Sequence, residues 1–263
     1  MSERAEDERL VGADRVLAVL IELADHPDGV ALDDLANRMR SSKSTVHRAL
    51  TTLKRARLAQ QTGRGVYILG DEFIRLALRH HASRPESALI EPVLRELAQC
   101  YGETAHYAVL EGAEVVYRAK VDPPEGGVRL TSVVGGRNPA YRTAVGKLLL
   151  SFAVTDPERL VEAVGAGSLE ARTPNTITDV GALWDELVRT RERGFAVDDQ
   201  ENELGINCIA VPVRPDPHSA PVGAVSVSAL AFRTPLARLV EELPKIRAYV
   251  DRPFRGVGSA RDV

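Results

Sequence analysis

A run of positive charge between Arg38 and Arg64 most constrains what this chain can fold into. The segment contains eight Lys or Arg residues and no Asp or Glu, whereas residues 1–37 contain ten acidic residues against three Arg. Around it, apolar residues recur at the spacing of two short amphipathic helices, Leu32, Leu35, Ala36 and Met39, then Val46, Ala49, Leu50 and Leu53. The pattern predicts a helix, a tight turn and a second helix.

The outward face of the second predicted helix carries only hydrogen-bond donors and positive charge. Its members are Lys43, Ser44, Thr45, His47, Arg48, Thr51, Lys54 and Arg55. Most basic helix faces are simply solvated, but here the charge is segregated from an acidic N-terminal stretch. A helix that reads the major groove needs such side chains. The pattern therefore indicates a DNA-binding helix-turn-helix, with Ser41 or Ser42 as the N-cap of its second helix.

Two short strands, Leu58–Gln61 and Val66–Leu69, are predicted on either side of a glycine-flanked Arg64. They form a hairpin wing whose tip would meet the DNA backbone or minor groove; the alternative is a plain exposed hairpin. Basic side chains would neutralise phosphates, and the helix face would read bases. The predicted DNA-binding residues are Arg38, Arg40, Lys43, Ser44, Thr45, His47, Arg48, Lys54, Arg55 and Arg64, with Arg57 as a further phosphate contact.

Composition bounds the remaining possibilities. With 263 residues, 44% of them hydrophobic, the chain can build two compact domains. No apolar run approaches the ~20 residues of a membrane span, and the acidic N-terminus does not resemble a signal peptide. Cys100 and Cys208 make neither a disulfide framework nor a zinc spacing, and His80-His81 has no third ligand nearby. We expect a cytoplasmic protein without membrane contact, cofactor or bound metal.

The segment Lys43–Arg48 resembles the winged helix-turn-helix of the IclR (isocitrate lyase regulator) family of bacterial transcription factors. The resemblance continues in order over roughly residues 12–235, through Tyr67–Gly70, Gly102–Thr104, Thr143–Lys147, Thr173–Thr178, Arg191–Asp198, Gly205–Pro212 and Ala224–Ser228. Between the two helices the family usually has Gly, an apolar residue and Pro, where this chain has Arg40-Ser41-Ser42. A left-handed backbone at Arg40 would cost on the order of 1 kcal/mol relative to Gly.

The resemblance implies an α+β protein of two domains. Residues 1–70 would form the winged helix-turn-helix domain, 71–85 a linker helix that contributes to a dimer contact, 86–255 a GAF-like effector-binding domain with an antiparallel sheet flanked by helices, and 256–263 a C-terminal tail. Periodicity predicts helices at Gly12–Asp25, Ser87–Tyr101, Thr143–Phe152, Pro157–Gly165, Val180–Arg193 and about Pro235–Val250, and second-domain strands at Ala105–Leu110, Val115–Val121, Val128–Val134, Ile206–Arg214 and Val222–Ala229.

A candidate effector site follows from spacing and from the resemblance. Ser226 and Ser228 are two apart on a predicted strand and share one face, and Thr143 and Ala144 begin a helix whose free N–H groups suit an anion. By the resemblance, Asp198 and Cys208 match effector-contact positions. The predicted set is Tyr141, Arg142, Thr143, Ala144, Asp198, Cys208, Ser226 and Ser228. Alternatively, the serines are satisfied core hydroxyls and Cys208 is a small buried hydrophobe.

The chemistry of this set predicts a small organic effector, a carboxylate or aromatic acid. Asp198 would disfavour an anion unless the ligand also donates hydrogen bonds from hydroxyl, amide or ring N–H groups, or Arg142 neutralises it. Tyr141 and Arg142, where the family commonly has Leu-His, favour an aromatic or larger acid.

Two groups of residues could suggest catalysis, and neither has the spacing that it requires. Gly146-Lys147 lacks the rest of a phosphate loop, because position 141 is Tyr and position 148 is Leu. Cys208, His106 and Asp198 match a nucleophile, base and orienter by residue type only. We therefore predict a non-enzymatic, ligand-responsive regulator, a repressor rather than an activator, that binds a near-palindromic operator in double-stranded DNA as a dimer or tetramer. The alternative is an enzyme or small-molecule-binding protein with an accessory DNA-binding domain.

Overall fold

The computed structural model describes residues 12–63, 65–82, 85–124, 130–216 and 219–254. Its contacts divide the chain into two compact units, Met1–Arg84 and Pro85–Val263. Each unit has hydrophobic clusters of its own, so each is described separately. The predicted tail at 256–263 and the extreme N-terminus lie outside the described residues.

The first unit is a winged helix-turn-helix, as predicted. Its elements in chain order are α1 (Gly12–Ala24), β1 (Val30–Ala31), α2 (Leu32–Arg38), α3 (Lys43–Arg55), β2 (Ala59–Thr62), β3 (Val66–Leu69) and α4 (Asp71–Ala82). Strand β3 lies between β1 and β2 in an antiparallel sheet. The strand β1 was not predicted, because two residues are too few to show an alternating pattern.

The turn between α2 and α3 has the backbone that its sequence disfavours. Arg40 adopts a φ of +46°, in the left-handed region that the family's usual glycine enters freely. The Ser41 amide then donates to the Ala36 carbonyl at 3.0 Å, which ends α2. The chain therefore forms the tight turn without the family's usual glycine. The left-handed backbone strain expected for a residue with a Cβ is present at Arg40.

The second unit is an α+β domain with an antiparallel sheet flanked by helices, again as predicted. Its elements are α5 (Pro85–Tyr101), β4 (Thr104–Glu111), β5 (Glu114–Val121), β6 (Arg137–Pro139), a 3-10 turn (Ala140–Arg142), α6 (Ala144–Ala153), α7 (Pro157–Val164), α8 (Val180–Arg193), β7 (Ala196–Asp199), β8 (Ile206–Val213), β9 (Gly223–Leu230), α9 (Leu236–Glu241), α10 (Leu243–Asp251) and a final 3-10 turn (Arg252–Phe254). The strand order is β6-β5-β4-β9-β8-β7.

The two faces of this sheet are covered by different helices. Helices α5, α9 and α10 pack on one face, where Val225 and Val227 of β9 join the core. Helices α6, α7 and α8 pack on the other face. Because successive residues of a strand point to opposite faces, Ser226 and Ser228 point toward the α6 side. Both hydroxyl-bearing residues are therefore buried beneath the helix that begins at Ala144.

Two expectations for the second unit were wrong. Residues 130–134 of the predicted strand Val128–Val134 form no strand; the chain turns at Gly135 (φ +84°), and the edge strand is β6. The closing helix is interrupted between α9 and α10 because Pro244 has no N–H and its ring obstructs a continuous helix. Strand β7, which pairs with β8, was not predicted.

Candidate functional site

Helix α3 presents its polar face because its start is fixed and its apolar face is buried. The Ser42 hydroxyl caps the helix by accepting from the Thr45 amide at 3.3 Å, which decides between the two predicted caps. The buried side chains of the helix are Val46, Ala49, Leu50 and Leu53. Burial of this stripe leaves the opposite side of the helix in solvent.

Two residues in the middle of that exposed face are free to bind. Among the described residues, the side chains of His47 and Arg48 form no hydrogen bond and no ion pair, and both are exposed. Thr51, which lies on the same predicted face, is not free in this way, because its hydroxyl donates to the His47 carbonyl at 2.8 Å. An exposed imidazole and guanidinium side by side are suited to base edges in a major groove.

Five of the other predicted DNA-binding residues already have local contacts. Lys43 pairs with Asp33 at 2.7 Å, and Arg38 lies 3.5 Å from Glu22. Lys54 donates to the Gln61 side chain at 3.1 Å. The hydroxyls of Ser44 and Thr45 both lie within hydrogen-bond distance of the Ser42 hydroxyl. Exposed pairs of this kind contribute at most about 1 kcal/mol and exchange readily for a phosphate.

Three further predicted phosphate contacts are exposed, and a fourth is not described. Arg40, Arg55 and Arg57 are exposed. Arg64 lies outside the described residues, as do the side chains of His80 and His81.

A cavity of about 280 Å³ lies in the second unit, between the sheet and the start of α6. It brings together seven of the eight residues predicted for the effector site, namely Arg142, Thr143, Ala144, Asp198, Cys208, Ser226 and Ser228. Spacing alone had placed the two serines on one face, and the fold closes that face against the α6 N-terminus.

Tyr141 does not line this cavity, contrary to expectation. Its side chain is buried, and its hydroxyl donates to the Glu170 carbonyl at 2.8 Å. The 3-10 turn that precedes α6 rotates Tyr141 into the core while Arg142 stays at the cavity.

The start of α6 forms one end of the cavity. Thr143 is the N-cap, and its hydroxyl oxygen accepts from the Gly146 amide at 3.0 Å. The amides of Ala144 and Val145 belong to the first turn, where no carbonyl of the helix itself can accept from them. Arg142 donates to the Asn202 side-chain oxygen at 3.0 Å and lies 3.5 Å from that of Asn138. This end of the cavity is suited to an anion.

Asp198 forms a second polar group of the cavity. Its Oδ1 accepts from the amides of Glu201 at 2.7 Å and Asn202 at 3.4 Å. Burial raises the pKa of the Asp198 carboxyl to about 7, and the nearby Lys147 ammonium opposes this rise. Lys147 is itself buried and pairs with Glu201, whose pKa burial also raises.

A buried chain of hydrogen bonds runs along the sheet side of the cavity. The Cys208 thiol donates to the Ser228 hydroxyl at 3.1 Å, and Ser228 lies 3.5 Å from His106 Nδ1. His106 Nε2 is 2.8 Å from the Ser132 hydroxyl. Burial lowers the pKa of His106 to about 3, with a further lowering by the Lys120 ammonium. The imidazole is therefore neutral at physiological pH.

The same burial argues against a catalytic cysteine. It raises the pKa of the Cys208 thiol well above its usual value, and a thiol, unlike a thiolate, is a poor nucleophile. The sequence singled out His106 only as a catalytic base and did not predict it as a cavity residue. Its position facing Ser226 across β4 and β9 depends on strand register, which a single sequence does not reveal.

In the part of the chain that the structure describes, no group of three or more His, Cys, Asp or Glu side chains could hold a metal ion. Among the same residues, no helix combines the length and the apolar character that crossing a membrane requires.

Comparison with known protein families matches both units. Residues 85–253 match the model described as bacterial transcriptional regulator IclR C-terminal. Residues 12–63 match the model described as IclR helix-turn-helix domain. The two matches cover most of the chain in the order that the fold shows.

Individual relatives agree with these matches. The DNA-binding transcriptional repressor YiaJ of Escherichia coli K12 is 34% identical over 227 residues, which are 85% of this chain and 80% of that protein. The transcriptional repressor IclR of the same organism is 30% identical over 231 residues, 87% of this chain and 81% of its own length. The crystal structure of the Thermotoga maritima IclR has a TM-score of 0.73 at 27% identity and covers 93% of this chain and 97% of that one.

Proposed function

Because this chain belongs to the IclR family of bacterial transcriptional regulators, we propose that it represses transcription from an operator read by α3, and that a small organic acid in the cavity changes its DNA affinity. The chain is a ligand-responsive DNA-binding regulator. Repression agrees with the names of the two Escherichia coli relatives described above, both called repressors. We assign it no enzymatic activity.

The free pair His47 and Arg48 on the capped helix carries the DNA-binding part of this proposal. These two side chains, with Ser44 and Thr45, would read base edges. The basic side chains would contact phosphates and supply affinity that falls with salt; they are Arg38, Arg40, Lys43, Lys54, Arg55, Arg57 and Arg64.

The cavity supports the effector part. Arg142 and the first turn of α6 would hold a carboxylate, and Asp198, Cys208, Ser226 and Ser228 would contact the rest of the ligand. A ligand that binds one state of the regulator better than the other shifts DNA affinity by its coupling energy, commonly about 1–3 kcal/mol.

Self-association into a dimer or tetramer is proposed as well. Large apolar side chains of the first unit stand in solvent in the single chain, with exposed fractions of 65% for Ile21 on α1 and 63% for Leu78 on α4. An apolar surface of this kind is typical of an interface. A two-fold dimer would place two α3 helices on the half-sites of a near-palindromic operator.

The experiment that tests the DNA-binding proposal compares Arg48→Ala with Lys54→Ala. Loss of a base contact should lower the ratio of operator to non-specific affinity roughly 5- to 150-fold, corresponding to ~1–3 kcal/mol. Loss of a phosphate contact should weaken both affinities alike. Fluorescence anisotropy on operator and scrambled duplexes at several salt concentrations measures both. Equal specificity ratios for the two variants would contradict the assignment.

A further inference from the structure

We infer that the turn before α8 positions part of the effector cavity, and that effector affinity depends on three of its side chains. These are Thr173, Asn175 and Thr176, and none of them is among the described residues that line the cavity. The cavity residues that they position are Asp198 and Asn202. The inference rests on the proposed function, because it assigns positioning residues to the proposed effector cavity.

Asp198 and Asn202 flank a short reversal of the chain at the edge of the cavity. Asp198 lies in β7, and both residues line the cavity. The Asn202 side-chain oxygen accepts from Arg142 Nε at 3.0 Å, and Arg142 lines the same cavity. The places of these three polar side chains therefore depend on the path that the backbone takes through residues 199–201.

This short segment is held in a strained conformation. Gln200 has a φ of +61°, in the left-handed region that a residue with a Cβ disfavours. Such a backbone persists only when the surrounding structure over-determines it. The Gln200 amide donates to the Ile206 carbonyl at 3.1 Å, and its side-chain oxygen accepts from the Gly205 amide at 3.1 Å. These bonds tie one side of the segment to the start of β8.

The turn before α8 supplies donors to three successive carbonyls on the other side of the segment. The bonds run from Asn175 Nδ2 to Asp199 at 3.0 Å, from the Thr173 hydroxyl to Gln200 at 2.7 Å, and from the Thr176 hydroxyl to Glu201 at 2.6 Å. Because a hydroxyl carries one proton, each threonine donates to one carbonyl at a time.

Each threonine bonds to a peptide group that also contacts Asp198. The Gln200 carbonyl and the Glu201 amide belong to one peptide group, and this amide donates to Asp198 Oδ1 at 2.7 Å. The Glu201 carbonyl and the Asn202 amide form the next group, whose N–H donates to the same oxygen at 3.4 Å. A trans peptide group is planar, so its C=O and N–H point in opposite directions. The hydroxyl that fixes the carbonyl therefore also fixes the N–H that reaches Asp198.

The turn that carries these donors is fixed by hydrogen bonds of its own. The Thr176 hydroxyl oxygen accepts from the amides of Arg172 at 3.1 Å and Thr173 at 2.9 Å. The Thr173 hydroxyl oxygen accepts from the Asn175 amide at 3.2 Å. Both threonines are buried, and each hydroxyl has a donor on one side and an acceptor on the other. A buried network that is satisfied in this way is rigid, as a positioning element must be.

Isosteric exchanges separate positioning by the hydroxyl from packing by the methyl group. Thr173→Val and Thr176→Val keep the shape of the side chain and remove the donor, whereas Thr173→Ser and Thr176→Ser keep the donor. Thr178→Val is the matched control, because Thr178 is half-buried just after the turn and its hydroxyl has no hydrogen-bond partner among the described residues. Asn175→Asp replaces a donor with an acceptor at an exposed position, and it carries the same test should the buried valine variants not fold.

Hydrogen exchange measured by mass spectrometry tests the positioning on the full chain without any ligand. Both valine variants should speed exchange of the peptide 199–205 roughly tenfold, because an unmade buried hydrogen bond shifts the local opening equilibrium by about this factor. Asn175→Asp should speed it about threefold or more, since its bond is exposed and contributes less. The serine variants and Thr178→Val should stay within about twofold of the native chain. Exchange in β9 should not change in any variant.

The effect on the effector is measured through DNA affinity, with acetate, succinate, benzoate and 4-hydroxybenzoate as probes. The acid that shifts the DNA affinity of the native chain most is titrated against each variant. The concentration that gives half the shift should rise roughly tenfold in the valine variants, because a binding constellation must be held within about 0.5 Å of its productive geometry. It should stay within about threefold in the serine variants and in Thr178→Val.

The outcomes separate this inference from the proposed function. Valine variants that exchange no faster than Thr178→Val overturn the inference, whether or not any acid acts. Serine variants that exchange as fast as the valine variants also overturn it, because the hydroxyl is then not the positioning group. Faster exchange with an unchanged half-shift concentration overturns the dependence of effector affinity on the turn. A native chain that responds to none of the four acids counts against the proposed function instead, and the exchange rates alone then decide the positioning role.

Discussion

At the scale of single residues, the turn before α3 holds Arg40 in a strained backbone. Its φ of +46° costs a residue with a Cβ about 1–2 kcal/mol, and glycine regains most of this despite its more flexible unfolded state. We expect Arg40→Gly to raise the free energy of unfolding by about 0.5–1 kcal/mol, measured by urea denaturation. The same exchange at Arg48, inside α3, should lower it by about 1 kcal/mol. Destabilisation by Arg40→Gly would contradict this reading of the turn.

Asp198 is the second residue whose state can be tested. Burial raises the pKa of its carboxyl from 3.8 to about 7, so between these pH values the folded chain binds more protons than the unfolded chain. Its contribution to stability is complete below about pH 4 and is lost as the pH rises toward 7. Asp198→Asn removes this titration while keeping an acceptor for the backbone bonds. Its stability relative to the native chain should rise between pH 4 and 7, by up to about 1.4 kcal/mol per pH unit. Parallel pH profiles in thermal melts would argue against the raised pKa.

Site residues that follow from a local sequence pattern could be predicted, whereas those that depend on strand register or on an irregular turn could not. Ser226 and Ser228 followed from strand alternation, and Thr143 from its place at the start of a predicted helix, where free N–H groups suit an anion. His106 was missed as a cavity residue because its place beside Ser228 depends on the register between β4 and β9. Tyr141 was misplaced because the 3-10 turn at Ala140–Arg142 shifts the side-chain direction from that of a helix.

At the scale of elements, the position of α6 depends on one glycine. A Cβ on Gly146 would lie 2.2 Å from the Ala140 carbonyl oxygen, and backbone atoms cannot move aside as a flexible side chain can. Gly146→Ala should therefore lower the free energy of unfolding by about 1–3 kcal/mol through overpacking. Gly167→Ala, where the added Cβ meets nothing within 4 Å, should change it by less than about 0.5 kcal/mol. Equal effects in urea denaturation would show that the close approach is unimportant.

Elements long enough to repeat their apolar pattern several times were predictable from the sequence. Short or interrupted elements were not. The helix Val180–Arg193 was predicted with its exact bounds, because it begins after the capping Asp179 and ends at left-handed Gly194. Strand β7, four residues long, shows too little alternation to separate it from a loop. The stretch Val128–Val134 has the apolar composition of a strand, but Val133 and Val134 are exposed, and composition alone does not establish pairing.

At the scale of the whole molecule, the sequence separates two tasks that the fold keeps in two units. The run of positive charge between Arg38 and Arg64 lies in the first unit, and the cavity lies wholly in the second. Order along the chain and family resemblance were enough to predict this arrangement. The coupling between the units could not be predicted, because it is a difference in free energy between two states of the regulator.

The most direct test of the account measures DNA affinity by fluorescence anisotropy on the intergenic DNA beside the gene, at several salt concentrations and against a panel of small organic acids. The native chain should bind with an affinity that falls steeply with salt, and one acid of the panel should shift that affinity roughly 5- to 150-fold. The combined variant Ser226→Ala and Ser228→Ala should bind the same DNA equally well and lose the shift. A native chain without salt-sensitive DNA affinity, or a combined variant with the full shift, would contradict the account.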